Sequence, residues 1–400
     1  MNSMNRIKRI VKITLFLILL FSGLGFFLSL WIIVPAPTFS LLPLAVGAPE
    51  ISPWLLVGNM IAALLALSQY QHPLARVALV ASLVGLLLSS LPLSQLSATH
   101  QAVTLTMQRN LDVDSWNQPH PTLSFRTQPF QLIDGFRGIP LTSVRHDSGI
   151  VFAEVENERL TLDIYRPSTR GRYPTVIVIY GGAWQNGNPS LDADFNRYMA
   201  AQGYTMIAID YRHAPRYQFP SQILDVQTAM QFIQRHATAY EVDLNRMAVL
   251  GRSAGAQLAM LLAYQPDTTP LRAVVNYYGP VDLAAGYRNP PVPDPINTRA
   301  ILDAFLGGSP EQVPDQYTLA SPIHFIKPNL PPTLLVYGSR DHVVEAKYGR
   351  QLRDCLQASG NTAVLLEIPW AEHAFDAVFS GVSNQLVLYH TERFLAWALR

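Results

Sequence analysis

Ser253 stands in VLGRSAGAQLAM, flanked by Gly251 and Gly255, where an apolar strand-like run meets a helix-like one. G-x-S-x-G in that setting gives a tight turn with the hydroxyl at its tip. A serine hydroxyl is a poor nucleophile at neutral pH and needs an adjacent base held by a third group. On such a turn the partners follow in the order serine, acid, histidine. His373, in EIPWAEHAFD, falls in a loop just after the last strand-like run. His324 lies before a strand, His342 sits beside a candidate acid, and His390 lies within a closing helical pattern. Asp341 in LLVYGSRDHVV is the expected acid, because its strand immediately precedes the one carrying His373; Asp282 in YYGPVDL is the rival. Helix capping is the ordinary alternative for Ser253 and for either acid.

Acyl transfer at a serine also needs donors aimed at the developing oxyanion, and losing one costs about 3–4 kcal/mol of barrier. The amide after the nucleophile, Ala254, is one candidate. VIVIYGGAWQNG supplies the others: a β-branched run stops at Gly181 and Gly182, followed by Ala183. Bare glycine backbone can approach a substrate oxygen and turn its N–H groups inward. Trp184 packs behind this loop or lines an acyl pocket, and Tyr180, just before the glycines, is a second pocket candidate.

These residues require a scaffold that brings several strand ends to one edge. From about residue 150 the pattern alternates strand and helix: a hairpin (VFAEVE, RLTLDIYRP), then TVIVIY, YTMIAIDY, MAVLG, RAVVNYYG, TLLVYG and AVLLEIP, with helical spacing between. Such βα units give an α/β fold with a doubly wound, mainly parallel sheet. Ligands bind beyond the carboxyl ends of its strands. The irregular stretch 284–322 is expected to form a cap over that edge.

The first third differs. Between Ile13 and Ala75 the only charged residue is Glu50, and Val77–Gln108 has none. Ile13–Val34 is long enough to cross a bilayer and too long for a cleaved leader. Trp54–Ser68 and Leu74–Leu93 are further candidate spans, so an α-helical transmembrane region over 1–95 is expected, with 96–149 as connector and 150–400 as catalytic domain. Arg6, Lys8, Arg9 and Lys12 precede the first span and Arg76 lies between the second and third. This pattern puts the N-terminus in the cytoplasm and the catalytic domain on the extracytoplasmic face, as a multi-pass integral membrane protein. A net charge of +1 argues against nucleic acid as a partner. One cysteine, Cys355, excludes an internal disulfide.

YGGAW, DYRHAP, GRSAGAQLA, ASPI, YGSRDHVV and EHAF, in this order, resemble the α/β-hydrolase superfamily. The resemblance is closest to its esterase branch of hormone-sensitive-lipase-like and feruloyl-esterase-like carboxylesterases and arylformamidases. It implies Ser253 as nucleophile, Asp341 as orienting acid and His373 as base, with a small-molecule or lipid ester as substrate and no metal or organic cofactor. DYRHAP resembles a structural segment near the site wall. Tyr180 departs from the histidine usual before the glycines. An amidase or formamidase with the same triad, a prolyl-oligopeptidase-type peptidase and a non-catalytic binding protein on this fold are the alternatives.

Overall fold

The computed structural model describes residues 2–111, 123–265 and 271–400. Four helices come first: α1 (Asn2–Leu30), α2 (Leu42–Glu50), α3 (Ser52–Ser68) and α4 (Pro73–Asn110). α1, α3 and α4 pack together. Ala75, Ala78, Ser82, Gly85 and Ser89 make the buried stripe of α4, a surface that lets helix backbones approach closely. Asn59 of α3 fills the space left by Gly25 and Gly85, where an added Cβ would stand 2.5 Å from its Oδ1. Its amide donates to Ser29 Oγ at 2.9 Å. The outer faces carry exposed Phe16, Leu20, Leu64, Val80 and Leu87. By length and composition, α1 (from Arg9) and α4 can each cross a bilayer. The helices Phe39–Glu50 and Ser52–Ser68, bent by 80° at their junction, add a third crossing if counted as one span.

α4 differs from the expected pattern. It does not stop near Leu93 but continues as helix through the first part of the expected connector, to Asn110. Leu93, Leu96, Val103 and Met107 keep helical spacing and pack against the main hydrophobic core. That apolar face sustains the helix despite the polar residues between them. The expected connector over 112–122 lies outside the described residues. Beyond it Arg126 is buried and paired with Asp134 at 3.0 Å, in the short helix α5 (Leu132–Arg137).

The α/β domain begins at β1 (Arg145–Val155), slightly before the expected boundary, and continues β2 (Glu158–Arg166), β3 (Tyr173–Ile179), α6 (Ala193–Ala201), β4 (Thr205–Ile209) and α7 (Ser221–Arg235). β5 (Val242–Arg252), α8 (Ala254–Tyr264) and β6 (Ala273–Tyr277) follow. The capping stretch is three short helices, α9 (Leu283–Arg288), α10 (Thr298–Leu306) and α11 (Pro314–Ala320). The chain closes with β7 (Thr333–Gly338), α12 (Ala346–Ala358), β8 (Ala363–Ile368) and α13 (Val382–Ala398). The eight strands form one sheet in the order β1-β2-β4-β3-β5-β6-β7-β8. It is parallel from β4 through β8, with β1 and β2 antiparallel at one side. The central strands are buried along their length, as β-branched runs covered on both faces require. The doubly wound, mainly parallel sheet expected from the sequence is therefore present.

Candidate active site

β5 runs into Ser253 and α8 leaves from it. Ser253 has φ 50° and ψ −122°, a strained conformation of the kind that collects at functional sites. Its neighbours leave no room for side chains: a Cβ on Gly251 would lie 2.2 Å from the Gly255 carbonyl, and one on Gly255 2.2 Å from the Ile179 carbonyl. The Ser253 N–H donates to the Tyr277 carbonyl at 2.9 Å, which ties the turn to β6.

Ser253 Oγ lies 3.0 Å from His373 Nε2. His373 Nδ1 lies 2.8 Å from Asp341 Oδ2. The other Asp341 oxygen accepts from the N–H groups of Val343 (2.8 Å) and Val344 (2.7 Å). A carboxylate so occupied accepts a hydrogen bond from His373 Nδ1–H, leaving Nε2 to accept from the serine hydroxyl. Burial disfavours a proton on His373, but the charge and hydrogen bond of Asp341, with Glu372 and Asp376 beyond, outweigh it and raise its pKa above the ordinary value.

The loop after β3 abuts the serine. A Cβ on Gly181 would come within 2.9 Å of the Arg252 carbonyl and 3.1 Å of Ser253 Cβ. Gly182 has φ +135°, and a Cβ there would meet the Asn186 carbonyl at 2.0 Å. Ala183 and Trp184 are both left-handed, at φ 54° and 59°. Among the described residues no protein acceptor takes the N–H of Gly182, Ala183 or Ala254.

Trp184 is buried behind this loop, stacked on Phe305 of α10 at 4.0 Å. Its indole N–H donates to Gln257 Oε1 at 3.0 Å. Tyr180, expected as a pocket residue, is 2% exposed. Its hydroxyl donates to Asp210 at 2.6 Å and lies 2.9 Å from His213 Nε2, and its ring stacks on Tyr211. Held this way under the glycine loop, it braces the loop from DYRHAP instead of lining a pocket.

Asp282 instead caps α9, accepting from Ala285 N–H at 2.9 Å. His342 pairs with Glu372 at 2.7 Å. His390 is buried in α13 beside His100. Among the described residues no group of three or more His, Cys, Asp or Glu side chains could hold a metal ion.

Two groups near the site were not singled out from the sequence. Arg252 is buried between Asp376 and Asp192, its guanidinium over the rings of Phe195 and Tyr277. Tyr278, at φ 44°, donates to Asp376 and sets its ring 4.6 Å from that of His373. The signal was their adjacency: Arg252 precedes Ser253, and Asp376 follows His373 by three positions.

Comparison with known proteins finds similarity over the α/β domain. A match to the BD-FAE family covers residues 162–356, which takes in Ser253 and Asp341 and ends before His373. The probable carboxylic ester hydrolase LipM of Mycobacterium tuberculosis is 30% identical over 270 residues, 63% of this chain and 61% of its own. Esterase LipC of the same organism is 32% identical over 54% of this chain and 57% of its own. The chain thus spans about three fifths of the length of these curated relatives. A solved bacterial heroin esterase is 24% identical, with a TM-score of 0.57 over 64% of this chain and 84% of that one. Together with the sheet order, that likeness shows that the chain has the α/β-hydrolase fold.

Proposed function

We propose that the chain is a membrane-anchored serine hydrolase that cleaves carboxylic esters through an acyl-enzyme. The observation that carries this reading is the relay from Ser253 Oγ through His373 to Asp341, at 3.0 and 2.8 Å. The esterase relatives support the ester as substrate class. In the first half-reaction the Oγ proton passes to His373 Nε2 as Oγ bonds the carbonyl carbon. The amides of Gly182, Ala183 and Ala254, with Gly181 shaping the approach, receive the oxyanion. The bond to the alcohol oxygen then breaks, and the proton on His373 leaves with it. In the second half a water gives its proton to His373 and its oxygen to the acyl carbon. The acid departs and the proton returns to Ser253. Asp341 holds the imidazole in the required tautomer throughout.

The apolar helices α1 and α4, with the bent α2–α3 pair, support anchoring as three spans. The N-terminus is then cytoplasmic and the catalytic domain lies on the opposite face. A fluorophosphonate probe should label the wild-type chain and not Ser253→Ala. Folded wild type that resists labelling would overturn the hydrolase reading. A reporter fused after Arg400 should be active outside the cytoplasm; cytoplasmic activity would mean an even number of spans.

A further inference from the structure

Three contacts between the N-terminal helices and the catalytic domain define how the sheet stands on the bilayer. Glu50, at the end of α2, accepts from the hydroxyl (2.5 Å) and N–H (2.8 Å) of Ser383, in the first turn of α13. His100 Nδ1, further along α4, lies 3.1 Å from His390 Nε2, midway down α13. At the end of α4, Asn110 Oδ1 accepts from Gln357 Nε2 (3.1 Å). The same amide donates to the carbonyl of Ala363, the first residue of β8. These rungs run in order from the carboxyl edge of the sheet to its amino edge. The most apolar part of α4 ends near Leu93, which puts His100 about 10 Å and Asn110 about 25 Å beyond it at ~1.5 Å per residue. β8 itself spans about 20 Å at ~3.3 Å per residue. The strands therefore point toward the membrane, and the edge that carries Ser253 is the nearer one.

The loop that follows α1 lies against this same edge. Arg340, next to Asp341, donates to the Ile33 carbonyl. Val343 from the acid loop and Ile296 from the cap pack on a cluster of Ala36, Leu42, Ala45 and Val46. The relay from Ser253 through His373 to Asp341 thus ends one residue from Arg340, which holds the loop at the end of the first apolar helix. This loop exposes Ile33, Val34 and, between Thr38 and Ser40, Phe39 at 70%, and the cap contributes Val292 at 91%. Apolar side chains at the foot of a spanning helix are stable in the interfacial layer of a bilayer.

We propose that the catalytic edge opens onto the membrane surface and that the substrate is a carboxylic ester of a bilayer-resident amphiphile. Such a molecule presents its ester at the headgroup–acyl boundary, level with Phe39 and Val292. This rests on Ser253 as nucleophile and on the apolar helices as membrane spans. The reaction is the hydrolysis already described: the acyl group goes to Oγ, the amphiphile's alcohol leaves with the His373 proton, and water releases the acid.

The test uses the full chain in phosphatidylcholine nanodiscs, with 4-methylumbelliferyl oleate dissolved in the bilayer and p-nitrophenyl butyrate in the water. In Phe39→Asp/Val292→Asp, turnover of the oleate ester should fall about tenfold or more, because charge is expelled from the interface, while butyrate turnover stays within about twofold. Phe39→Leu/Val292→Ile should keep both rates. Equal changes for the two esters in the Asp variant, or no change in either, would overturn the proposal. So would a wild type that cleaves butyrate and leaves the bilayer ester untouched, with the hydrolase reading intact. A wild type inert to both esters and to fluorophosphonate would overturn that underlying reading first, and this one with it.

Discussion

Two neighbouring dipeptides, Asp341-His342 and Glu372-His373, form two acid–histidine pairs by exchanging partners. Asp341 binds His373 at 2.8 Å, and Glu372 binds His342 at 2.7 Å. The pairs share chemistry, loops and distance, yet only one has a hydroxyl in front of it, Ser253 Oγ at 3.0 Å. The other, with Glu372 buried and His342 only partly exposed, works as a clasp. Glu372 Oε1 accepts from the N–H groups of both His342 (2.6 Å) and His373 (3.0 Å), tying the acid loop to the base loop. An acid beside a histidine is thus no relay by itself; the third partner makes it one.

Removing each acid in turn tests this distinction most strongly. Asp341→Asn should lower kcat about 10³–10⁴-fold, since it leaves the imidazole in the wrong tautomer. A loss under tenfold would show that the relay does not run through Asp341. The pH profile comes next. His373 must be neutral to accept the serine proton, and its pKa is raised above 6.5. The ester kcat/KM should therefore fall about tenfold per pH unit below an inflection on the upper side of that value. An inflection well below it would break the assignment of His373 as base. Glu372→Gln keeps a carbonyl acceptor for the two N–H groups, so kcat should drop less than about tenfold. A loss equal to that of Asp341→Asn would erase the difference between the pairs.

The smallest effect is on stability. The hydrogen bond and charge of Glu372 raise the pKa of His342 against the opposing effect of burial. A raised folded pKa gives stability that is fully present below the unfolded value and is lost as pH rises through the folded one. His342→Gln should therefore lower the melting temperature at pH 5.5 and hardly at all at pH 9. The loss is expected to be about 1 kcal/mol, because only the His342 side of the pair reaches solvent while Glu372 is buried. Thermal melts at the two pH values measure it; an equal loss at both would show that the charge contributes nothing.

Much of the site was legible because strand-to-turn junctions are local. The runs ending at Ile179, Arg252, Gly338 and Ile368 placed the glycine loop, Ser253, Asp341 and His373 on one edge before any contact was known. Tyr180 was harder. Its departure from the family pattern was visible, but its partners Asp210 and His213 are thirty and thirty-three positions away, and only the β3–β4 pairing brings them under it. Arg252 carries no local signal because its two acids come from other loops. The length of α4 was missed for another reason. Its apolar residues past Leu93 face the protein and not lipid, so the run lost its hydrophobic density while keeping its helical period. Glu50 stood out as a lone acid in apolar sequence, but nothing local pointed to Ser383.

That last contact bears on the order in which the chain assembles. The first turn of α13 is capped by a carboxylate 333 residues upstream, already made long before the helix itself leaves the ribosome. Caps of this kind are worth about 1 kcal/mol, and contacts so distant in sequence form late, after most of the chain has been arranged. The final helix, on which the base loop rests through the bond of Trp370 to Ser383 at 2.9 Å, thus has its first turn satisfied by the N-terminal helices. Deleting those helices would therefore remove part of the α/β domain's own framework.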